Sequence, residues 1–214
     1  RPLYEQYWLN MRDLFSGRLK SIKDDRPVLK RIAERLPATV SLNVLAIFIS
    51  LTFGLLPGVY AAKHAGKLPD VLTSILAFMF IALPGFWISD LIVIGLVKFT
   101  NAPLLGTQTY GINFPNLLTL WLDRFWHIAL PALVLSIGGI AAQSRFIRAS
   151  MIETMREDYI RTAFAKGLAQ QTVFYKHALR NSIRPLITGI GGLLPGLLGG
   201  SIVIETIFAY PGLG

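Results

Sequence analysis

Cysteine is missing from all 214 residues, so a disulfide framework, a thiolate nucleophile and a thiolate metal site are excluded, and redox chemistry says nothing about the compartment. Charge is scarce: Asp, Glu, Lys and Arg make up 15% of the chain, against about 25% in an ordinary soluble domain. The three histidines, His64, His127 and His177, are too scattered for a metal-ligand cluster. There is no G-x-x-x-x-G-K-[ST] phosphate loop, no H-E-x-x-H and no G-x-S-x-G, so no catalysis belonging to this chain is legible. The chain also lacks an initiator methionine and a charged leader before a short apolar stretch. It opens on Arg1 and stops at Gly214 directly after a turn-like "YPGLG", and is expected to be a piece of something longer.

What the chain has instead is grease. Hydrophobic residues reach 53% and the mean hydropathy is +0.52, the balance of a membrane protein. A bilayer core of roughly 30 Å needs about 20 apolar residues in a helix. Four runs are long enough: 36–62, 71–97 with Pro84 and one acid inside, 125–144 with Pro131 inside, and 185–205, whose strongest part ends at Ile204. These runs are continuously apolar rather than alternating, which favours spanning helices over barrel strands. The net charge of +9 does not point to nucleic acid, because the spans divide the cations among separate loops.

Loop charge does not set the orientation. With four crossings, one side carries eleven Lys and Arg and the other ten. The N-terminal segment 1–35 confuses the count, since "RLKSIKDDRPVLKRIAERLP" mixes both signs. Its apolar positions Val28, Leu29, Ile32, Ala33 and Leu36 fall at helical spacing between Pro27 and Pro37, which predicts a short helix lying on the membrane surface.

The loop 145–184 is the most informative soluble stretch. Ile152, Met155, Tyr159 and Ala163 recur at three and four, predicting one face of a helix with Glu153, Arg156, Glu157 and Arg161 off that face. Gly167 breaks the pattern and permits a left-handed turn. A second short helix is expected from about Gln171 to Asn181, with Val173, Phe174, His177 and Ala178 on one side. Such a hairpin offers an apolar stripe and cations in water for a partner protein to cover; the plainer reading is a solvated amphipathic connection between spans.

"DYIRTAFAKGL" followed by "HALRN" and then an apolar, Gly-rich run resembles the cytoplasmic EAA loop of permeases from binding-protein-dependent ABC importers, nearest to the dipeptide, oligopeptide and nickel branch. "RPVLKRIAERLPAT", "LPGFWISDLIVI", "HIALPALVLSIGG" and "GGSIVIETIFAYPGLG" carry the same resemblance in the same order over nearly the whole chain. The resemblance implies an all-α polytopic type I permease fold, with four of six spanning helices present here. It places the segments 1–35 and 98–124 outside and the loop 145–184 in the cytoplasm, in the cytoplasmic (inner) membrane. It further implies that the loop docks in an ATPase subunit that binds the ATP. Other implied partners are a second homologous permease subunit, an extracytoplasmic substrate-binding protein and lipid. On the family pattern Asp158, Tyr159, Arg161, Thr162, Ala163, Lys166 and Gly167 form the docking loop. The chain departs from the broader pattern with Arg161 in place of an acid, and with His177, Ala178, Leu179 and Arg180 in place of I-x-L-P. It also has Ala169 and Gln170 where Ser-Glu is common, and loss of a Ser cap costs about 1 kcal/mol.

Two further sets are pathway candidates. Asp90 is read as the only acid well inside a run, placed either to hold a substrate ammonium or to reach interfacial water. Gly192, Gly196 and Gly200 recur every fourth residue and are expected first of all to let helices pack closely, and on the family pattern to face the pathway. His127 is expected in an interfacial aromatic belt with Trp121, Phe125 and Trp126. A di- or oligopeptide importer permease is the reading, with nickel or another small solute as the alternative substrate. A membrane-embedded enzyme and a non-transporting scaffold or sensor are the readings of other classes.

Overall fold

The computed structural model describes residues 2–22, 25–100 and 105–214, with side-chain surroundings at 100, 190, 193–198 and 200 left out. Among the described residues the regular structure is helical, with no strand beyond one isolated bridge, Lys20 to Pro27. The long elements are α2 (Val28–Lys63), the pair α3 (Leu68–Ala82) and α4 (Gly85–Thr100), α5 (Leu117–Thr154) and α9 (Arg184–Ile207), preceded by α1 (Leu3–Phe15). Helices α2 and α5 are each long and apolar enough to cross a membrane, and α3 and α4 are so as a pair.

Helices α2 and α5 form the spine and run parallel. Leu42 shares a buried cluster with Ala132, Gly54 lies against Ile140 and Gln143, Gly58 against Ser144 and Ile147, and Ala62 joins Met151. Small residues make this close approach possible. A Cβ added at Gly58 would sit 2.6 Å from the Ser144 main-chain oxygen, one at Gly54 2.7 Å from Gln143 Cβ, and one at Gly139 2.8 Å from Ser50 Cβ. Nothing stands within 4 Å of a Cβ added at Gly192, so its close packing within this chain is not found; the seam lies at Gly54, Gly58 and Gly139 instead. Gly196 and Gly200 fall outside the residues whose surroundings are described, as does Pro195 between them.

The separate surface helix expected before the first run is not separate: Val28–Arg35 is the opening of α2, which continues through Pro37 and Pro57. Pro37 misled because proline costs one main-chain hydrogen bond and a kink, which membrane helices tolerate inside a span. With 36 residues α2 extends roughly 54 Å, so its polar first turns project beyond a core of about 30 Å. An N-terminal helix α1 is present with no buried residue, and was not expected.

The run 71–97 is two helices bent by 94° rather than one. Pro84 causes this: the preceding Leu83 is extended (ψ 129°), as a residue before proline prefers, and α4 restarts at Gly85. The pair still travels between ends of the spine. Asp70 at the start of α3 binds Arg148 near the end of α5, whereas Gly106, beyond α4, donates its N–H to the Phe208 oxygen (2.9 Å) at the opposite end. α9 then runs antiparallel to the spine: Ile183 and Leu186 pack beside Met151, and Ile204 and Phe208 beside Val134.

Candidate functional site: the loop at residues 155–183

Helix α5 ends at Thr154, and Met155, Arg156 and Glu157 turn the chain into α6 (Asp158–Ala165). This break resets the helical phase, so the expected stripe through Tyr159 is corrected: Ile160 and Ala163 face inward, and Tyr159 is exposed. Gly167 has φ of +80°, its N–H donates to the Phe164 oxygen (2.9 Å), and the Leu168 N–H donates to the Ala163 oxygen (3.3 Å). That pair of bonds satisfies the last carbonyls of α6 and requires the left-handed residue that glycine supplies most cheaply.

The return limb is one helical stretch of changing pitch: α7 (Gln170–Thr172), a π-helical stretch (Val173–Ala178) and α8 (Leu179–Ser182). Ala169 sits at its N-cap without a side-chain bond, as its departure from the family's Ser implies. Val173, Phe174 and Ala178 turn inward against Ile160 and Ala163, and the same buried cluster continues into Ala62 of α2 and Ile147 and Met151 of α5. Polar bonds fasten the limbs. Asn181 Nδ2 donates to Tyr159 Oη (3.0 Å), Ser182 Oγ lies 3.0 Å from Thr154 Oγ1, and Ser150 Oγ donates to the Ser182 oxygen (3.2 Å). The loop is therefore built into the ends of α2 and α5 rather than hung from them.

Of the residues singled out, Ala163 is buried; Asp158, Tyr159, Arg161, Thr162, Lys166 and Gly167 share the exposed side. Asp158 and Arg161 pair at 3.3 Å, but both are well exposed, so the pair adds little stability. Sequence reasoning missed Phe164 and Leu168, which are exposed at the tip beside Lys166. The signal was their position off the buried stripe in "AFAKGL", where a soluble helix ordinarily carries polar residues.

A half-buried ion pair anchors the loop end. Arg148 grips both Asp70 oxygens, through Nε and through Nη2 (2.8 Å to Oδ2), and the Gly66 N–H donates to Oδ2 (2.9 Å). The guanidinium bond outweighs burial and holds the Asp70 carboxyl below its ordinary value. Arg145 lies 4.0 Å from the Phe78 ring centroid, a second cationic link between α5 and α3.

The opposite end holds a buried acid that sequence reasoning missed. Glu205 is 1% exposed; Thr39 Oγ1 donates to its Oε1 and the Gly214 N–H to its Oε2, both at 2.7 Å. Leu213 N–H donates to Thr39 Oγ1 (2.8 Å), and Arg35 Nη1 to the Gly212 oxygen (3.1 Å), so the "YPGLG" turn is clasped onto α2. Asp90 is therefore not the only acid within the helical bundle, and it lies on an exposed face of α4. His127 is not in an exposed belt: it is 1% exposed and its Nδ1–H donates to the Asp123 oxygen (2.8 Å). Asp123 also fixes the loop before α5, accepting from Thr109 N–H (2.8 Å) and Oγ1 (2.6 Å). Burial raises its pKa most strongly, yet the Thr109 bonds and His127 bring the net value below the usual one. Among the described residues no group of His, Cys, Asp and Glu could hold a metal.

A parallel pair of long apolar helices, a third crossing made of two bent pieces, an antiparallel return helix and a soluble hairpin packed into one end define a polytopic helical membrane protein. Residues 54–214 match the family described as binding-protein-dependent transport system inner membrane component, and the chain belongs to that family. The whole chain is similar to curated relatives. It is 36% identical to the oligopeptide transport system permease protein AppB of Bacillus subtilis and 35% identical to the dipeptide transport system permease protein DppB of Lactococcus lactis. It is also 35% identical to the glutathione transport system permease protein GsiC of Escherichia coli. It spans 66% to 67% of the length of these relatives.

Proposed function

We propose that this chain is the pathway-forming permease subunit of an ATP-driven importer for peptides, with the hairpin at 155–183 as the cytoplasmic contact to an ATPase subunit that hydrolyses ATP. One observation carries this reading: a single buried cluster runs from Ile160 and Ala163 through Val173 and Phe174 to Ala62, Ile147 and Met151. A push on the hairpin reaches the spine as rigid-body motion, because close-packed interfaces switch between discrete arrangements rather than deforming smoothly. The exposed Phe164 and Leu168, flanked by Arg161 and Lys166, supply an apolar anchor with a cationic rim for the ATPase cleft.

The substrate class follows from relatives named for oligopeptide, dipeptide and glutathione transport, all of them peptides. A second permease subunit faces the open side of α9 around Gly192, and a substrate-binding protein delivers peptide at the end bearing Glu205. On this reading Asp90, exposed on α4, meets a peptide ammonium in the pathway. These 214 residues hold no cysteine, so Lys166→Cys adds a reporter thiol that none of them duplicates. A short crosslinker on it should capture the ATPase subunit of the purified transporter. Capture of nothing, or labelling of that thiol from the side of the binding protein, refutes the assignment.

A further inference from the structure

A cavity of about 550 Å³ opens at the loop end, between the link from α2 to α3 and the return limb of the hairpin. That size lies within the range of roughly 300–1,000 Å³ typical of small-ligand sites. Lys63, Lys67 and Arg156 line it together with His64, and no carboxylate does. Two neighbouring cations are engaged elsewhere, Arg148 by Asp70 and Arg145 by the Phe78 ring. Among the described residues no carboxylate pairs with Lys63, Lys67 or Arg156. Lys63 Nζ is 3.3 Å from Tyr175 Oη and 5.4 Å from that ring's centroid, so one cation is already held at the cavity wall by the hairpin.

The site also sits at a particular height. Lys63 is the last residue of α2 and Lys67 immediately precedes α3, so both cations stand where apolar helix gives way to water. Directly below, the His64 ring lies 4.5 Å from that of Tyr60. Phe53, Leu56 and Tyr60 continue down the same face of α2 at helical spacing, each more than half exposed. A cationic cavity above an exposed apolar stripe fits a molecule with an anionic head and a hydrocarbon tail.

We propose that this cavity binds the phosphoryl headgroup of an anionic phospholipid, with an acyl chain along Phe53, Leu56 and Tyr60. The site stands apart from the importer reading, since it needs only the cavity and the bilayer. Lipid thus becomes one wall of the contact between hairpin and spine, because Phe174 and Tyr175 of the return limb line the same cavity.

The test is native mass spectrometry of the intact transporter released from phosphatidylcholine nanodiscs containing phosphatidylglycerol. The wild type should retain phosphatidylglycerol in preference to phosphatidylcholine. Each single change, Lys63→Gln, Lys67→Gln or Arg156→Gln, should weaken retention about fivefold, and the triple change on the order of a hundredfold. All three side chains are exposed, so the triple variant keeps the fold, checked by unchanged gel-filtration behaviour. Equal retention by wild type and triple variant overturns the proposal. Displacement by millimolar inorganic phosphate overturns the lipid assignment in favour of a free phosphate. If the triple variant instead loses its ATPase subunit in lipid-free detergent, the cavity holds an acidic protein segment and the proposal is wrong.

Discussion

Replacing Gly58 by alanine tests the spine directly. The new Cβ would stand 2.6 Å from the Ser144 main-chain oxygen and 3.0 Å from Ile147 Cβ, and a backbone oxygen in a packed helix has nowhere to go. Overpacking of this kind costs about 1–3 kcal/mol. The same substitution improves helix propensity by about 1 kcal/mol, which partly hides the clash. Gly191→Ala supplies the control: it lies in α9, where nothing stands within 4 Å of an added Cβ, so it carries the propensity gain alone. The difference between the two variants isolates the clash and should be about 1–3 kcal/mol. Unfolding of each purified variant in mixed micelles of increasing dodecyl sulfate concentration reads it. If Gly58→Ala proves as stable as Gly191→Ala, α2 and α5 do not approach as described and the spine is wrong.

Other outcomes follow from the two polar anchors and the loop. Asp70→Asn should cost about 1.5–3 kcal/mol by uncoupling Arg148, measured by the same unfolding assay. Because the Asp70 carboxyl is held below its ordinary value of 3.8, its contribution is complete above that pH and declines as pH falls further. The wild type should therefore lose stability below about pH 4 more steeply than Asp70→Asn. Thr39→Val and Glu205→Gln should be non-additive by about 0.5–3 kcal/mol in a double-mutant cycle, since both act on one clasp; strict additivity refutes the clasp. Asp90→Asn should reduce uptake of peptides with a free ammonium relative to N-acetylated ones, and equal effects on both remove Asp90 from the pathway.

Much of this organisation is legible in residues alone, for physical reasons. Long, continuously apolar runs mark helices because a bilayer admits only helices and closed barrels, and barrel strands alternate. Gly167 announces its turn because few other residues accept φ of +80°. What stayed hidden depends on contacts distant in sequence. Asp70 and Arg148 lie 78 residues apart, and Thr39 and Glu205 166 apart, so neither pair leaves a local trace. Glu205 was passed over because it stands one residue beyond the strongest apolar stretch, where an acid reads as a loop residue. The Gly54–Gly58 seam was hidden by uniform hydrophobicity, which conceals which face packs. The phase of α6 is not legible from periodicity because the break at 155–157 turns one helix into two.

If the hairpin transmits motion to the spine through its buried cluster, Ile160→Ala should break the linkage. Ile160 is fully buried at the joint between hairpin and spine, and truncating it costs about 2–5 kcal/mol locally while leaving the exposed face of α6 in place. The measurement is ATP hydrolysis by the reconstituted transporter with peptide-loaded binding protein, set against peptide uptake in the same vesicles. Such a linkage requires that the variant keep its ATPase subunit but lose both peptide-stimulated hydrolysis and uptake. Full stimulation and full uptake in Ile160→Ala would contradict it.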